Sequence, residues 1–233
     1  MYKVLITGAT RGIGRAIALE FASRGSNIAF CARDAAAVAA FELLLRHDYG
    51  IEAHGYSVDL SSKKEVQTFA VLALERLGGL DILVNNAGVF LPGSVGAEAD
   101  GVFEQLMAVN LAAPYYLTRM ALPELRKSAR AHVFNICSTA SIMAYPNGGS
   151  YCISKFGLLG MNKVLRAETQ GSNIRVTAVM PGATLTDSWA GSDLPPERFI
   201  QPEAVAKAVA ACWDVNESSV VEELLVRPLQ GDV

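Results

Sequence analysis

Seven short runs rich in β-branched and other apolar residues recur along the chain, and longer stretches of helical character separate them. The runs are KVLIT (3–7), NIAFCA (27–32), EAHGYSV (52–58), DILVN (81–85), HVFNIC (132–137), RVTAVM (175–180) and VVEELLV (220–226). Helical patterns occupy 12–24, 35–47, 62–76, 101–126, 149–170 and 202–213, several opened by cap residues such as Asp34, Ser61 and Ser62. Strands that are almost wholly apolar are buried on both faces, so their alternation with helices predicts a parallel sheet covered on both sides, a doubly wound α/β fold. No repeat, low-complexity tract or linker breaks the pattern, and 233 residues, 51% of them hydrophobic, are expected to form one domain over 1–233. The Pro/Gly-rich places 91–96, 145–149 and 181–196 read as loops following strands, and ligands of open α/β sheets bind at those strand ends.

Charge and cysteine usage narrow the chemistry. A net charge of −3 without a Lys/Arg cluster gives no footprint for nucleic acid or for an anionic membrane surface. Cys31, Cys137, Cys152 and Cys212 form no CxxC pair, and His47, His54 and His132 never fall at metal-ligand spacing, so neither a metal nor a disulfide framework is expected. Cys137 and Cys152 are read as small buried hydrophobes. The opening MYKVLITGA is too short for a signal-peptide core and no segment reaches about 18 uncharged apolar residues, so the expected location is cytoplasmic and the expected partner a small molecule.

The first strand runs into TGATRGIGRAIALEFA, which places Gly8, Gly12 and Gly14 in a turn opening a helix. Glycines there admit tight backbone geometry and the close approach of a pyrophosphate, whose charge the helix amino terminus stabilises. A turn that merely closes strand onto helix is the competing reading. No GKS or GKT follows, which disfavours a triphosphate loop.

TGATRGIG, NNAG at 85–88, Tyr151 and Lys155 in YCISK, and PGATLT at 181–186 together resemble the short-chain dehydrogenase/reductase family in order and spacing. The resemblance implies a Rossmann-type fold with about seven parallel strands and hydride transfer between a nicotinamide and a carbonyl or alcohol carbon. It implies Ser138, Tyr151 and Lys155 as the catalytic group, with Asn110 as its fourth member. It further implies cofactor contacts from Gly8, Arg11, Gly12, Ile13 and Gly14, from Asp59 and Leu60, and from Asn86, Ala87 and Gly88. Tyr151, Lys155, Pro181, Gly182, Thr184 and Thr186 complete that set. The Tyr-x-x-x-Lys spacing belongs to the carbonyl/alcohol branch rather than to the enoyl reductases. The carboxyl terminus, VVEELLVRPLQGDV, lacks the Asn-Gly-Gly ending of 3-oxoacyl-acyl carrier protein reductases and is closer to sepiapterin-reductase-like members.

On a helix over 149–170, Tyr151 and Lys155 at i and i+4 share a face, so the ammonium is expected to favour the ionised phenol and bring it toward working pH as a general acid or base. Ser138, at the end of the fifth run, is placed to donate to a substrate oxygen. Pro114 has no N–H, so the carbonyl of Asn110 loses its helical donor and is expected to be free near Lys155, where the family holds a relay water. At the end of the second run Ala32 stands where NAD-preferring members carry an acid. Arg33 and Arg11 are then expected to converge on a 2'-phosphate, and Asp34 is read as the cap of the next helix. NADP(H) is therefore expected, with NAD(H) as the alternative. A non-catalytic redox sensor of the same fold is the rival function, since fold alone never proves turnover. The segment 187–200, with Trp189, Pro195 and Pro196, is expected to form a small lid. Ile153, Phe156, Leu158, Leu159, Met161, Val164 and Leu165 are more apolar residues than one narrow stripe needs, so part of this helix is expected to face another subunit in a homodimer or homotetramer.

Overall fold

The computed structural model describes residues 1–189 and 191–232. Its strands are β1 (Lys3–Thr7), β2 (Asn27–Ala32), β3 (Ala53–Ser57), β4 (Ile82–Asn85), β5 (Ala131–Ile136), β6 (Ile174–Pro181) and β7 (Glu223–Val226). The helices are α1 (Gly12–Ser23), α2 (Ala35–Tyr49), α3 (Lys63–Leu77), α4 (Val102–Met107), α5 (Ala113–Lys127), α6 (Gly149–Glu168) and α7 (Pro202–Asp214). All seven strands join one parallel sheet in the order β3-β2-β1-β4-β5-β6-β7.

Successive residues of a strand point to opposite faces, and here both faces are covered. Val4 and Ile6 of β1 pack with α1, α2 and α7, whereas Leu5 between them packs with α3 and α5. That two-sided burial explains why the strand runs carry so little polar alternation. β7 is shorter than its run: it pairs only with β6, alternates between exposed and half-buried positions, and begins at Glu223. Asp34 caps α2 by accepting from the N–H groups of Ala36 and Ala37, and Ser62 caps α3 by accepting from Glu65. Ser61, the other expected cap, instead donates its hydroxyl and its N–H to Asp59.

The helical stretch expected over 101–126 is not uniform. Between α4 and α5, residues Ala108–Ala112 form a π-helical turn in which the Ala113 N–H reaches the carbonyl of Ala108. Pro114 sits in the first turn of α5, where its missing N–H removes a donor that would have continued the α pattern from Asn110.

A buried polar chain ties the centre together. Asn85 donates to Thr118 Oγ1 (2.9 Å) and to Asn135 Oδ1 (2.8 Å), and Asn135 donates to Asn162 Oδ1 (2.8 Å). It links β4, α5, β5 and α6, and because Asn85 and Asn135 face each other in the β4–β5 pairing it fixes that register.

Candidate active site

β1 leads into a turn in which Gly8 (φ 67°) and Gly12 (φ 53°) adopt left-handed backbone. Gly14 has no room for a side chain: a Cβ there would lie 2.2 Å from the Gly8 carbonyl oxygen and 2.3 Å from Asn86 Nδ2. The turn is stitched to the segment after β4. Asn86 donates to the carbonyls of Thr7 (2.9 Å) and Gly8 (3.0 Å), and Thr7 Oγ1 accepts from the N–H groups of Asn86 and Ala87. No side chain caps α1 and no acid stands in its first turn, so the leading N–H groups remain available to an anion.

Beyond β5 the chain turns sharply into a short 3₁₀ segment (Thr139–Ser141) that holds Ser138 reciprocally. Ser138 Oγ accepts from the Ala140 N–H (3.1 Å) while Ser141 Oγ accepts from the Ser138 N–H (3.2 Å). α6 brings Tyr151 and Lys155 to the same place. A cavity of about 390 Å³ is lined by these three residues and by Ile13, Asn86, Gly88, Pro181, Gly182 and Thr186, all expected site residues. Its outer wall is aromatic and apolar, with Phe90, Met143, Tyr145 and Trp189, and Asp232 reaches it from the carboxyl-terminal end.

Lys155 is buried and donates to the Ile136 carbonyl (2.9 Å), with its Nζ 5.9 Å from the centre of the Tyr151 ring. The expectation that this ammonium lowers the phenol pKa does not hold in this arrangement. Burial pushes Tyr151 above its ordinary value, the Ser138 hydroxyl pulls it back, and Cys152 and Cys137 push it up again. Burial likewise pushes Lys155 down. Burial disfavours the charged form of each group, which moves the two pKa values in opposite directions. Cys137 and Cys152 are buried, as read from the sequence, and burial raises the Cys137 thiol to about 11, so it is no nucleophile at neutral pH.

Asn110 is fully buried in the π turn, and its side chain is completely engaged. Oδ1 accepts from the Val89 N–H (2.8 Å), and Nδ2 donates to the Val89 carbonyl (3.0 Å) and to Ser154 Oγ (2.9 Å). A Cβ on Gly88 would lie 3.5 Å from both Asn110 Oδ1 and Lys155 Nζ, so the two residues flank the same wall.

Several expected cofactor residues lie outside the lining of this cavity. Thr184 is buried, with its hydroxyl donated to the Gly182 carbonyl (3.0 Å), so it supports the loop instead of lining the cavity. Leu60 belongs to the core beside α3, while Asp59 is exposed and held by Ser61, with Arg33 close enough to lower its pKa further. The expected convergence of Arg11 with Arg33 meets a competitor, because the Arg11 guanidinium pairs with Asp187 at 2.6 Å. The expected lid over 187–200 contains two short 3₁₀ turns, Asp187–Trp189 and Pro196–Arg198, and Ala190 within it lies outside the described residues. Phe90 and Asp232, which line the cavity, and Asp187, which pairs with Arg11, carry no periodicity or local motif that would single them out in the sequence.

Strand order reverses between β1 and β4, the switch point at whose carboxyl edge open α/β sheets bind their ligands. With the glycine turn and the cavity both at that edge, the molecule is of the Rossmann-type α/β class. Residues 2–195 match the family model described as short chain dehydrogenase, and the chain belongs to the short-chain dehydrogenase/reductase family. It is similar to a sepiapterin reductase of Chlorobaculum tepidum, 33% identical across 99% of this chain and 97% of that protein. An alcohol dehydrogenase of the archaeon Thermococcus sibiricus, solved with 5-hydroxy-NADP, has a TM-score of 0.92 at 27% identity, covering 100% of this chain and 99% of its own. A metagenomic short-chain oxidoreductase solved with NADP has a TM-score of 0.84 at 34% identity, with 97% of each chain covered.

Proposed function

We propose that this chain is an NADP(H)-dependent oxidoreductase that interconverts a carbonyl and an alcohol on a small molecule, with Tyr151 as general acid and base. The observation that carries the reading is the meeting of Ser138, Tyr151 and Lys155 in the lining of one cavity that Ile13, beside Gly12 and Gly14, and Thr186 also border. The residues suit the cofactor held by the Thermococcus and metagenomic relatives. The open amino terminus of α1 suits a pyrophosphate. Ala32 offers no charge against a 2'-phosphate, Asp34 is occupied as a cap, and Arg33 is exposed without an ion pair among the described residues. Arg11 would have to leave Asp187 to join it, and both partners of that pair are exposed enough to make the exchange inexpensive.

The cofactor, when bound, supplies or accepts the hydride. Tyr151 delivers a proton to the substrate oxygen during reduction and withdraws it during oxidation. Ser138 donates a hydrogen bond to that oxygen, stabilising the negative charge that develops on it. Lys155 would hold the nicotinamide ribose, its ammonium lying on the same helix one turn from Tyr151. Asn110 holds the segment after β4 through Val89, and its backbone carbonyl, deprived of a donor at Pro114, takes the water that returns the proton from solvent. Copies of the chain associate through the apolar residues that α6 leaves exposed, among them Ile153, Phe156 and Val164, together with Phe103 and Tyr115.

A panel of aldehydes, ketones and diketones followed by NADPH absorbance tests the reading. Turnover with at least one member, reduced to a small but measurable residual rate in Tyr151→Phe while NADPH still binds, is the expected result. A protein that binds NADPH and reduces none of them, nor oxidises the matching alcohols with NADP⁺, overturns it.

A further inference from the structure

α6 carries Tyr151 and Lys155, yet nothing in its own sequence starts it. Gly148 at its cap position offers no side chain and its first turn holds no acid. The first N–H groups of a helix lack intrahelical acceptors, so a buried start needs a partner from elsewhere. Glu98, in the loop between β4 and α4, is that partner. Its Oε1 accepts from the Ser150 N–H at 2.8 Å and its Oε2 accepts from the Ser150 hydroxyl. Ser150 is only 2% exposed, so the junction is internal.

The backbone at two glycines packs closely against the Glu98 side chain. A Cβ on Gly149, whose φ is +24°, would lie 2.1 Å from Glu98 Oε1, and one on Gly93 would lie 2.6 Å from Glu98 Cγ. A second tie joins the same two loops, from the Gly93 N–H to the Asn147 carbonyl at 2.9 Å. Asn147 is the one non-glycine among the described residues with a left-handed backbone, φ 63°. The loop that carries Glu98 also carries Phe90, whose ring meets that of Tyr151 edge to face at 4.8 Å between centroids.

We infer that Glu98 is a positioning residue for Tyr151: its carboxylate replaces the missing cap of α6 and locks the loop after β4 onto the start of that helix, holding the phenol toward Ser138. The inference rests on the proposed role of Tyr151. Proton transfer tolerates little misplacement, so releasing this end of α6 lowers kcat while leaving the cofactor cradle, built from β1, α1 and Asn86, in place. A glutamine at the position can accept from the Ser150 N–H through its carbonyl and meet the Ser150 oxygen with its amide.

The test uses the full chain and the carbonyl compound that the wild type reduces fastest in the panel above, with rates normalised to the folded, NADPH-binding fraction. Glu98→Ala is expected to lower kcat about tenfold with NADPH Kd within about twofold of wild type, and Glu98→Gln to recover most of the loss. In a Tyr151→Phe background, Glu98→Ala is expected to cost nothing more, because the effect acts through the phenol that has gone. Wild-type kcat in Glu98→Ala, equal damage in the alanine and glutamine variants, or an additive loss in the double variant each overturns the inference. If Glu98→Ala does not fold, Ser150→Ala, which removes one of the two bonds, takes its place in the cycle. A kcat loss in Ser150→Ala that disappears in the Tyr151→Phe background then supports the inference, and an unchanged or additive kcat overturns it. If Tyr151→Phe alone keeps wild-type turnover, the role of Tyr151 fails, whatever the Glu98 variants do.

Discussion

Burial shifts the Tyr151 phenol above its ordinary pKa, and the Ser138 hydroxyl offsets only part of that shift. The direction of that shift fixes the pH behaviour. In the proposed role of Tyr151, reduction would use the protonated form, which persists through and above neutrality, whereas oxidation would use the ionised form, which is scarce until the pH approaches the raised pKa. Carbonyl reduction should therefore be flat in kcat/KM across neutral pH, and alcohol oxidation should keep rising toward pH ~10. An oxidation profile that levels off at or below neutrality would refute the burial argument. Arg33→Ala should weaken NADPH binding about ten- to a hundredfold and NADH binding hardly at all, as titrations of the two cofactors would measure, since only NADPH has the 2'-phosphate that loses a charge-assisted partner. At this scale the sequence was legible where chemistry is local: Ser138, Tyr151 and Lys155 sit in short motifs, and Asp34 announced itself as a cap. It was illegible where side chains meet across long separations. Asp187 intercepts Arg11 from 176 residues away. The one trace Glu98 left in the sequence was indirect: a long helix opening on Gly-Gly-Ser without an acid of its own.

Among the elements, the join of α4 to α5 carries the sharpest consequence. An α-helix passing through Asn110 would spend its carbonyl on residue 114, and proline there forbids it. Pro114→Ala restores the donor, so the π turn should relax toward α geometry, the carbonyl should be taken up, and kcat should fall by more than NADPH affinity changes. Thermal denaturation and steady-state kinetics on the same preparation would separate this from a pure packing effect, which alters stability and leaves turnover per folded molecule as it was. Periodicity predicted six helical stretches and all seven strands because burial on one face or both imprints itself on hydrophobic spacing. It could not show the π turn, whose single extra residue perturbs the phase of a stretch that is apolar on more than one side. Pro114 marked the place without specifying the geometry.

For the molecule as a whole, the amino-terminal edge of the sheet matters to stability as its opposite edge matters to function. His132 is fully buried on β5, stacked on Phe134 and bonded through Nε2 to Thr177 Oγ1 at 2.7 Å. Burial, then Arg175 and Arg130, push its pKa well below the ordinary value. Unfolding exposes a histidine that takes up a proton near pH ~6.5 while the folded form stays neutral, so stability is complete above that pH and falls as the pH drops below it, by at most ~1.4 kcal/mol per unit. Urea unfolding at mildly acidic and mildly basic pH should show this slope, and His132→Gln should flatten it. Light scattering at micromolar concentration should give a dimer or tetramer mass, and a monomer would remove the assigned role of the exposed α6 residues. The two halves of the sheet meet along one seam, where Val4, Leu5 and Ile6 of β1 pair with Ile82, Leu83 and Val84 of β4. On a translating ribosome β1, β2 and β3 emerge first and are free to assemble, but the other side of β1 stays unpaired until Ile82–Asn85 has left the exit tunnel. During that interval the nascent chain presents an apolar strand edge to its surroundings, so its yield in a cell should depend on elongation rate and chaperone supply more steeply than the stability of the finished sheet would suggest.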